Sequence, residues 1–294
     1  MSGFAFRKHE SAAESLRRIV DDLLQSIREL IPQTETCEKA LHEISKATKR
    51  LVAIACLIPG SEGKAFEHAI QHFRHPIGPR RDAEVMRSIW KEFCERLVGT
   101  TDIDQAMNWE ALAQRHFQDA EKGPEETAWL GDLDAIDREW KQVELPSTKA
   151  PWFLDAVRKE YRRGHRIVKP GLHSASDRLL HKVRKTVKRT QYQLELMHKA
   201  CPSRLSPEHD LWRRLGDLLG RHHDLSVFRE AVDRPTLDRL SQGLAESLVA
   251  ALEEKQSEVT RTIEREAPQA YLFRPRDFAG FLQRAWEHWR HPAE

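Results

Sequence analysis

Three features of this 294-residue sequence predict an all-α protein. Apolar residues recur at 3,4 spacing along most of its length, no segment alternates apolar and polar residues as a half-buried strand does, and glycine is scarce while long stretches lack proline. Charged residues make up 32% and aromatics 7%, a balance that favours amphipathic helices over sheets. A chain of this length can bury one large core or two of ordinary size.

Taken in order, helical patterns run over roughly 10–31, 35–58, 62–73, 83–98, 104–121 and 125–143, then over roughly 150–168, 171–200, 208–219, 224–232, 236–265 and 277–290. The breaks fall on turn chemistry: IPQT at 31–34, IPGSEG at 58–63, HPIGP at 75–79, KGP at 122–124, LPSTKAP at 145–151 and CPSRLSP at 201–207. Of these, LPSTKAP reads as the main internal boundary.

Charge is segregated beneath a formal total of only +2. From Ala156 to Arg189 twelve Lys or Arg stand against two acids, whereas residues 99–149 carry twelve acids against five bases. Such asymmetry marks a directed electrostatic surface. The four cysteines, Cys37, Cys56, Cys94 and Cys201, form no C-x-x-C pair, so neither a zinc site nor a disulfide framework is expected and a reducing cytoplasm fits. The longest apolar run, Leu51 to Ile58, falls far short of the roughly 20 residues a membrane span needs. The N-terminal MSGFAFRKHESAAES reaches charge at once and has no apolar signal core.

Two motifs occur twice. LHEISKATKR (41–50) matches LHKVRKTVKR (180–189) as L-H-x-x-x-K-x-x-K-R, pairing His42 with His181, Lys46 with Lys185, Lys49 with Lys188 and Arg50 with Arg189 at an offset of 139. GPRRDAEV (78–85) matches GRHHDLSV (220–227) through Gly78 and Gly220, Asp82 and Asp224, Val85 and Val227, at an offset of 142. Recurrence in the same order predicts a tandem duplication, with repeat one over 1–146 and repeat two over 150–294 of a single domain.

Leu41, Ile44, Thr48, Leu51, Ala55 and Ile58 form an apolar seam that Leu180, Val183, Val187, Thr190, Leu194 and Met197 repeat. At about 100° per residue the His, Lys and Arg of each motif cluster on the side away from its seam. A lone stripe of this kind is ordinarily a solvated face. Two stripes facing each other across a pseudo-twofold axis would repel by roughly 0.5–1 kcal/mol per close pair. That arrangement calls for an anionic guest. In the second motif the glycines read as helix C-caps and the aspartates as N-caps, which sets Arg80 and Arg81, or His222 and His223, just ahead of a helix N-terminus where an anion binds.

With FAFRKHESAAESLRRI and VRKEYRRGHR, these motifs give the chain a resemblance, over most of its length, to the CHAD family, α-helical domains named for their histidines. The resemblance implies two tandem pseudo-symmetric four-helix-bundle units enclosing a basic channel. It also implies binding of inorganic polyphosphate, with some members on polyphosphate granules. By position it implies His42, Lys46, Lys49, Arg50, Arg81, His181, Lys185, Lys188, Arg189 and His223 as ligands of that chain, with Arg18, Tyr161, Arg162 and Arg166 from the flanking stretches. Some relatives carry a triphosphatase domain whose E-x-E-x-K signature is absent here, so neither a reaction nor a cofactor is expected. The acidic 99–149 stretch matches nothing in the family and is a place for a protein partner.

Lysine and arginine suit such a guest through charge-assisted hydrogen bonds, and histidine adds a pH dependence. Two other classes compete. HHD at 222–224 resembles the His-Asp pair of metal-dependent phosphohydrolases, but the first copy reads RRD, whose arginine is no metal ligand. Nucleic acid would also enter a basic channel, yet few aromatics interleave with the stripes, Tyr192 being the nearest, so only weak phosphate-led binding is expected. A scaffold role through Trp286, Trp289 and the acidic stretch is compatible with polyphosphate binding.

Overall fold

A computed structural model describes residues 3–35, 37–97, 125–146, 151–173, 175–198, 202–232 and 242–291. Ten α-helices and no strand occur among them. They are α1 (Ala12–Leu30), α2 (Glu38–Ala55), α3 (Gly60–Arg74), α4 (Ile77–Leu97), α5 (Glu126–Gln142), α6 (Leu154–Val168), α7 (Asp177–His198), α8 (Pro202–Ala231), α9 (Gln242–Ala270) and α10 (Pro275–Arg290).

Each helix forms where local chemistry and burial agree. In α1 a capping box closes the first turn: the Glu14 amide donates to Ser11 Oγ at 3.1 Å and the Ser11 amide donates to Glu14 Oε2 at 2.7 Å. Leu16, Ile19, Val20, Leu23, Leu24 and Ile27 then bury one face. Every residue of the two predicted seams on α2 and α7 is buried, and at about 2 kcal/mol per fully buried Leu, Ile or Val these seams dominate local stability. The two helices pack on each other. Gln193 of α7 donates to the Ala53 carbonyl of α2 at 3.2 Å within that contact.

Around this central pair, α1 and α3 pack on α2, and α5 on α3; α6 and α8 pack on α7, α9 on α8, and α10 on α6. Helix α4 reaches across to α8 and α9. The opening residues 4–6 cross in the other direction. Phe6 stacks on Phe153 (centroids 4.9 Å), meets Trp286 edge-on (5.2 Å), and its amide donates to the Leu196 carbonyl at 2.9 Å. Gly164 explains the glycine in YRRGHR: a Cβ there would lie 2.0 Å from the Tyr271 hydroxyl, so only glycine lets Tyr271 reach α6.

The second repeated motif forms no cap. Gly220 and Asp224 lie inside α8, one unbroken helix where the sequence predicts 208–219 and 224–232, and Gly78 and Asp82 lie in the first turns of α4, which starts at Ile77 rather than 83. A helical glycine costs about 1 kcal/mol against alanine, and the packing of α8 on both α7 and α9 outweighs it. The CPSRLSP turn becomes the first turns of the same helix, with Pro207 inside it. The predicted helix at 104–121 and most of LPSTKAP lie outside the described residues.

Candidate functional site

A cleft of about 490 Å³ opens between α2, α4, α7 and α8. From α2 come His42, Lys46, Lys49 and Arg50; from α4, Arg81; from α7, Arg184, Lys188, Gln191, Tyr192 and Glu195. Helix α8 supplies His209, Arg213, Asp217, Arg221 and Asp224, with Gly216 and Gly220 leaving room between them. Eight Lys or Arg thus face three acids. Gly216 serves close approach, since a Cβ there would lie 2.5 Å from Gln191 Oε1 and 3.0 Å from Lys188 Nζ, whereas one at Gly220 would meet open space.

Five of the cleft's cations are paired. Arg50 pairs with Glu195 and its guanidinium lies 4.6 Å over the Phe4 ring; Lys188 donates to Asp217 at 3.2 Å and to Gln191 at 3.1 Å; Arg221 pairs with Glu92; Arg213 lies 3.8 Å from Asp210 and Lys46 4.0 Å from Glu43. The other three are not. Among the described residues Lys49, Arg81 and Arg184 have no carboxylate within 4.0 Å, and Arg184 Nε is buried with no acceptor. Burial, followed by the positive charges of Arg81, Arg184, Arg74 and Lys188, pushes the Lys49 ammonium down to about 6. Burial and the charge of Arg184 likewise lower Arg74, and burial lowers Lys188 against the pull of Asp217. Asp82 and Asp224 are raised by burial despite the pull of Arg81, so these carboxylates offset the cationic field only in part.

The sequence-predicted residues divide sharply. The structure brings together His42, Lys46, Lys49, Arg50, Arg81 and Lys188. The other members of the α7 stripe point elsewhere: Lys185 is exposed outside the cleft, and Arg189 sits 2.7 Å from Glu67 and 3.8 Å from Glu160, locked in an internal ion cluster. His181 lies against His223, ring centroids 5.1 Å apart, beside rather than in the cleft. Arg18 is a clamp on the opening segment, bound to Glu10 at 2.9 Å and to the Ala5 carbonyl at 3.0 Å. That bond holds the Glu10 carboxyl down at about 2, with Ser15 adding to the effect. Tyr161 is fully buried, stacked on Phe278 at 4.0 Å and donating its hydroxyl to the Phe273 carbonyl at 3.0 Å, so the core claims it. Arg162 and Arg166 are on α6, which contributes nothing to the cleft.

The same burial and charge act on the histidines. Burial and neighbouring cations lower His42, His181 and His223, the last to about 4, so without an anion they are neutral at neutral pH. The HHD triplet splits: His222 is buried 3.7 Å from Asp177 while His223 faces His181. Among the described residues no three His, Cys, Asp or Glu side chains converge as a metal site would require. Trp286 is buried against Phe6 and Phe153, and Arg290 lies over both Trp286 and the half-buried Trp289. Sequence reasoning missed Arg184, Gln191, Arg213, Arg221 and, behind the wall, Arg74. Arg184, Lys188, Gln191 and Glu195 are spaced i, i+4, i+7, i+11 on one face, a signal hidden because the position equivalent to Arg184 is the buried Ser45.

Fold and site together define an all-α protein with a strongly cationic cleft where the two helices of the repeated basic motif meet. The family model of the CHAD domain matches residues 53–233, more than half of the chain, and the chain belongs to that family. It is also similar to the crystal structure of the CHAD domain from the plant Ricinus communis, with a TM-score of 0.52 and 18% identity over 99% of this chain and 95% of that one. At that identity the likeness is one of fold. No curated protein matches the chain. The matched region begins within α2, after the four α2 residues of the cleft. No described helix is long and apolar enough to cross a membrane.

Proposed function

We propose that the cleft binds inorganic polyphosphate without transforming it. The observation that carries this reading is the set of three basic side chains, Lys49, Arg81 and Arg184, drawn from three helices into one cleft with no carboxylate within 4.0 Å. Like charges held together in a partly desolvated place raise the energy of the empty protein, and a flexible chain with a negative charge on every phosphoryl unit removes that cost. Guanidinium and ammonium groups give it many donors with no need to read a base or a sugar. Helices α2 and α7, which carry the two copies of the basic motif, then contribute to one site, α2 with its whole stripe and α7 with Lys188 and Arg184. Such a protein belongs where polyphosphate gathers, on granules in the cytoplasm.

Nucleic acid fits less well. The cleft's one aromatic, Tyr192, is buried edge-on against Phe4 and offers no face for stacking a base. The test is a titration with long-chain polyphosphate at fixed salt, with single-stranded nucleic acid as competitor. Tight polyphosphate binding that the competitor barely disturbs supports the reading, and comparable affinity for the two contradicts it.

A further inference from the structure

Lys49 lines the cleft, and charged or titratable groups stand on every helix that closes it. On its own helix it has Lys46, Arg50 and His42; α3 brings Arg74; α4 brings Arg81 and Asp82; α7 brings Arg184 and Lys188; α8 brings Asp217, Arg221, His223 and Asp224. Helix α1 packs on another part of α2 and contributes nothing to the cleft. The nearby carboxylates do not answer Lys49: Asp217 is engaged by Lys188 at 3.2 Å, and neither Asp82 nor Asp224 comes within 4.0 Å. A cation so placed is stabilised either by meeting an anion or by giving up its proton. Arginine can take only the first course, lysine either.

We propose that Lys49 takes up a proton from solvent as the cleft takes a polyphosphate, so that binding is proton-coupled and tightens as the medium becomes more acid. This rests on the polyphosphate reading above. In the balance one proton passes from water or buffer to Nζ, no other bond changes, and the complex carries one positive charge more than its separate parts. The empty protein with Lys49 held at about 6 is mostly uncharged there at neutral pH, and phosphate oxygens beside it restore the ammonium. Because the bound state holds more protons, affinity rises as pH falls toward about 6, where the free ammonium already forms and the coupling ends. Within that window one proton corresponds to about a tenfold change in affinity per pH unit. The neutral form also lets four helices close round an empty cleft at lower electrostatic cost.

The histidines supply the competing source. Their ordinary value near 6.5 and the second phosphate ionisation near 6 both leave pH 8.5 clear for a lysine. The experiment is isothermal titration calorimetry of the full chain with long-chain sodium polyphosphate at pH 8.5, in two buffers of different ionisation heat, for the unaltered protein, Lys49→Arg and Lys185→Arg, the last exposed and outside the cleft. The expected result is uptake of close to one proton by the unaltered protein and by Lys185→Arg, lost in Lys49→Arg, whose affinity also becomes nearly flat between pH 7.5 and 9. Binding without uptake, or uptake unchanged in Lys49→Arg, would overturn the proposal while leaving the polyphosphate reading intact. Absence of binding by the unaltered protein at pH 6.5 and low salt would remove both.

Discussion

Helices α2 and α7 carry the same basic signature on the same side of the same apolar seam, yet only α2 turns all four of its charged residues to the cleft. On α7 Lys188 alone follows the pattern, while Lys185 faces solvent, His181 meets His223 and Arg189 is enclosed by Glu67 and Glu160. The difference is one of neighbours. Helix α2 presents its outer face to the space left by α4 and α8. Helix α7 presents to that space the row Arg184, Lys188, Gln191 and Glu195, rotated from its own repeated stripe. A repeated pattern fixes which residues avoid the core, whereas the helices packed alongside decide what those residues meet.

The largest effect expected from this comparison is at the residue the repeat does not contain. Arg184→Glu removes a charge-assisted contact of about 1.5–3 kcal/mol and adds repulsion, so polyphosphate affinity should fall about a hundredfold or more with the helical circular dichroism unchanged. Next comes the pair at equivalent positions. Lys46→Glu should weaken binding about tenfold, whereas Lys185→Glu, exposed and outside the cleft, should stay within about twofold in the same titration. Equal losses at the two would restore a symmetric channel.

Arg189 separates stability from binding. Its removal leaves Glu160, 6% exposed and already raised by burial, with only the exposed Arg163 as partner. Arg189→Leu should therefore cost about 3 kcal/mol in denaturant unfolding and change polyphosphate affinity little. The smallest effect lies at the opening segment. Glu10, held at about 2 by Arg18, stabilises the fold above the usual value of 4.5 and loses that contribution as pH falls from there through about 2. Thermal melts across that range should drop more for the unaltered protein than for Arg18→Met, which starts lower.

The helices were legible because their signal is local. All twelve residues of the two seams are buried as their spacing requires, and the ends of α1, α3, α5 and α10 fall within about two residues of the sequence pattern. Glycine misled, since Gly78 and Gly220 read as turn residues by type while the structure places both inside helices, with open space where a Cβ would stand. Five of the cleft's eight Lys or Arg residues were legible through repetition. The remainder was not, because Arg184 has a buried serine as its counterpart and Arg213 and Arg221 come from a helix chosen by tertiary packing alone. Tyr161 and Arg18 belong to family-like stretches for structural reasons, one filling the core and the other fastening the first residues to it.

The central claim is that cations from both halves of the chain act on one guest. A double-mutant cycle on Arg81→Gln and Arg184→Gln, read as the dissociation constant for long-chain polyphosphate at fixed salt and pH, tests it most directly. Residues sharing one anion should show a coupling of at least about 1 kcal/mol, the double variant losing markedly less or more than the product of the single losses. Additivity within about 0.3–0.5 kcal/mol would mean that Arg81 and Arg184 serve separate sites, and the shared cleft would be contradicted.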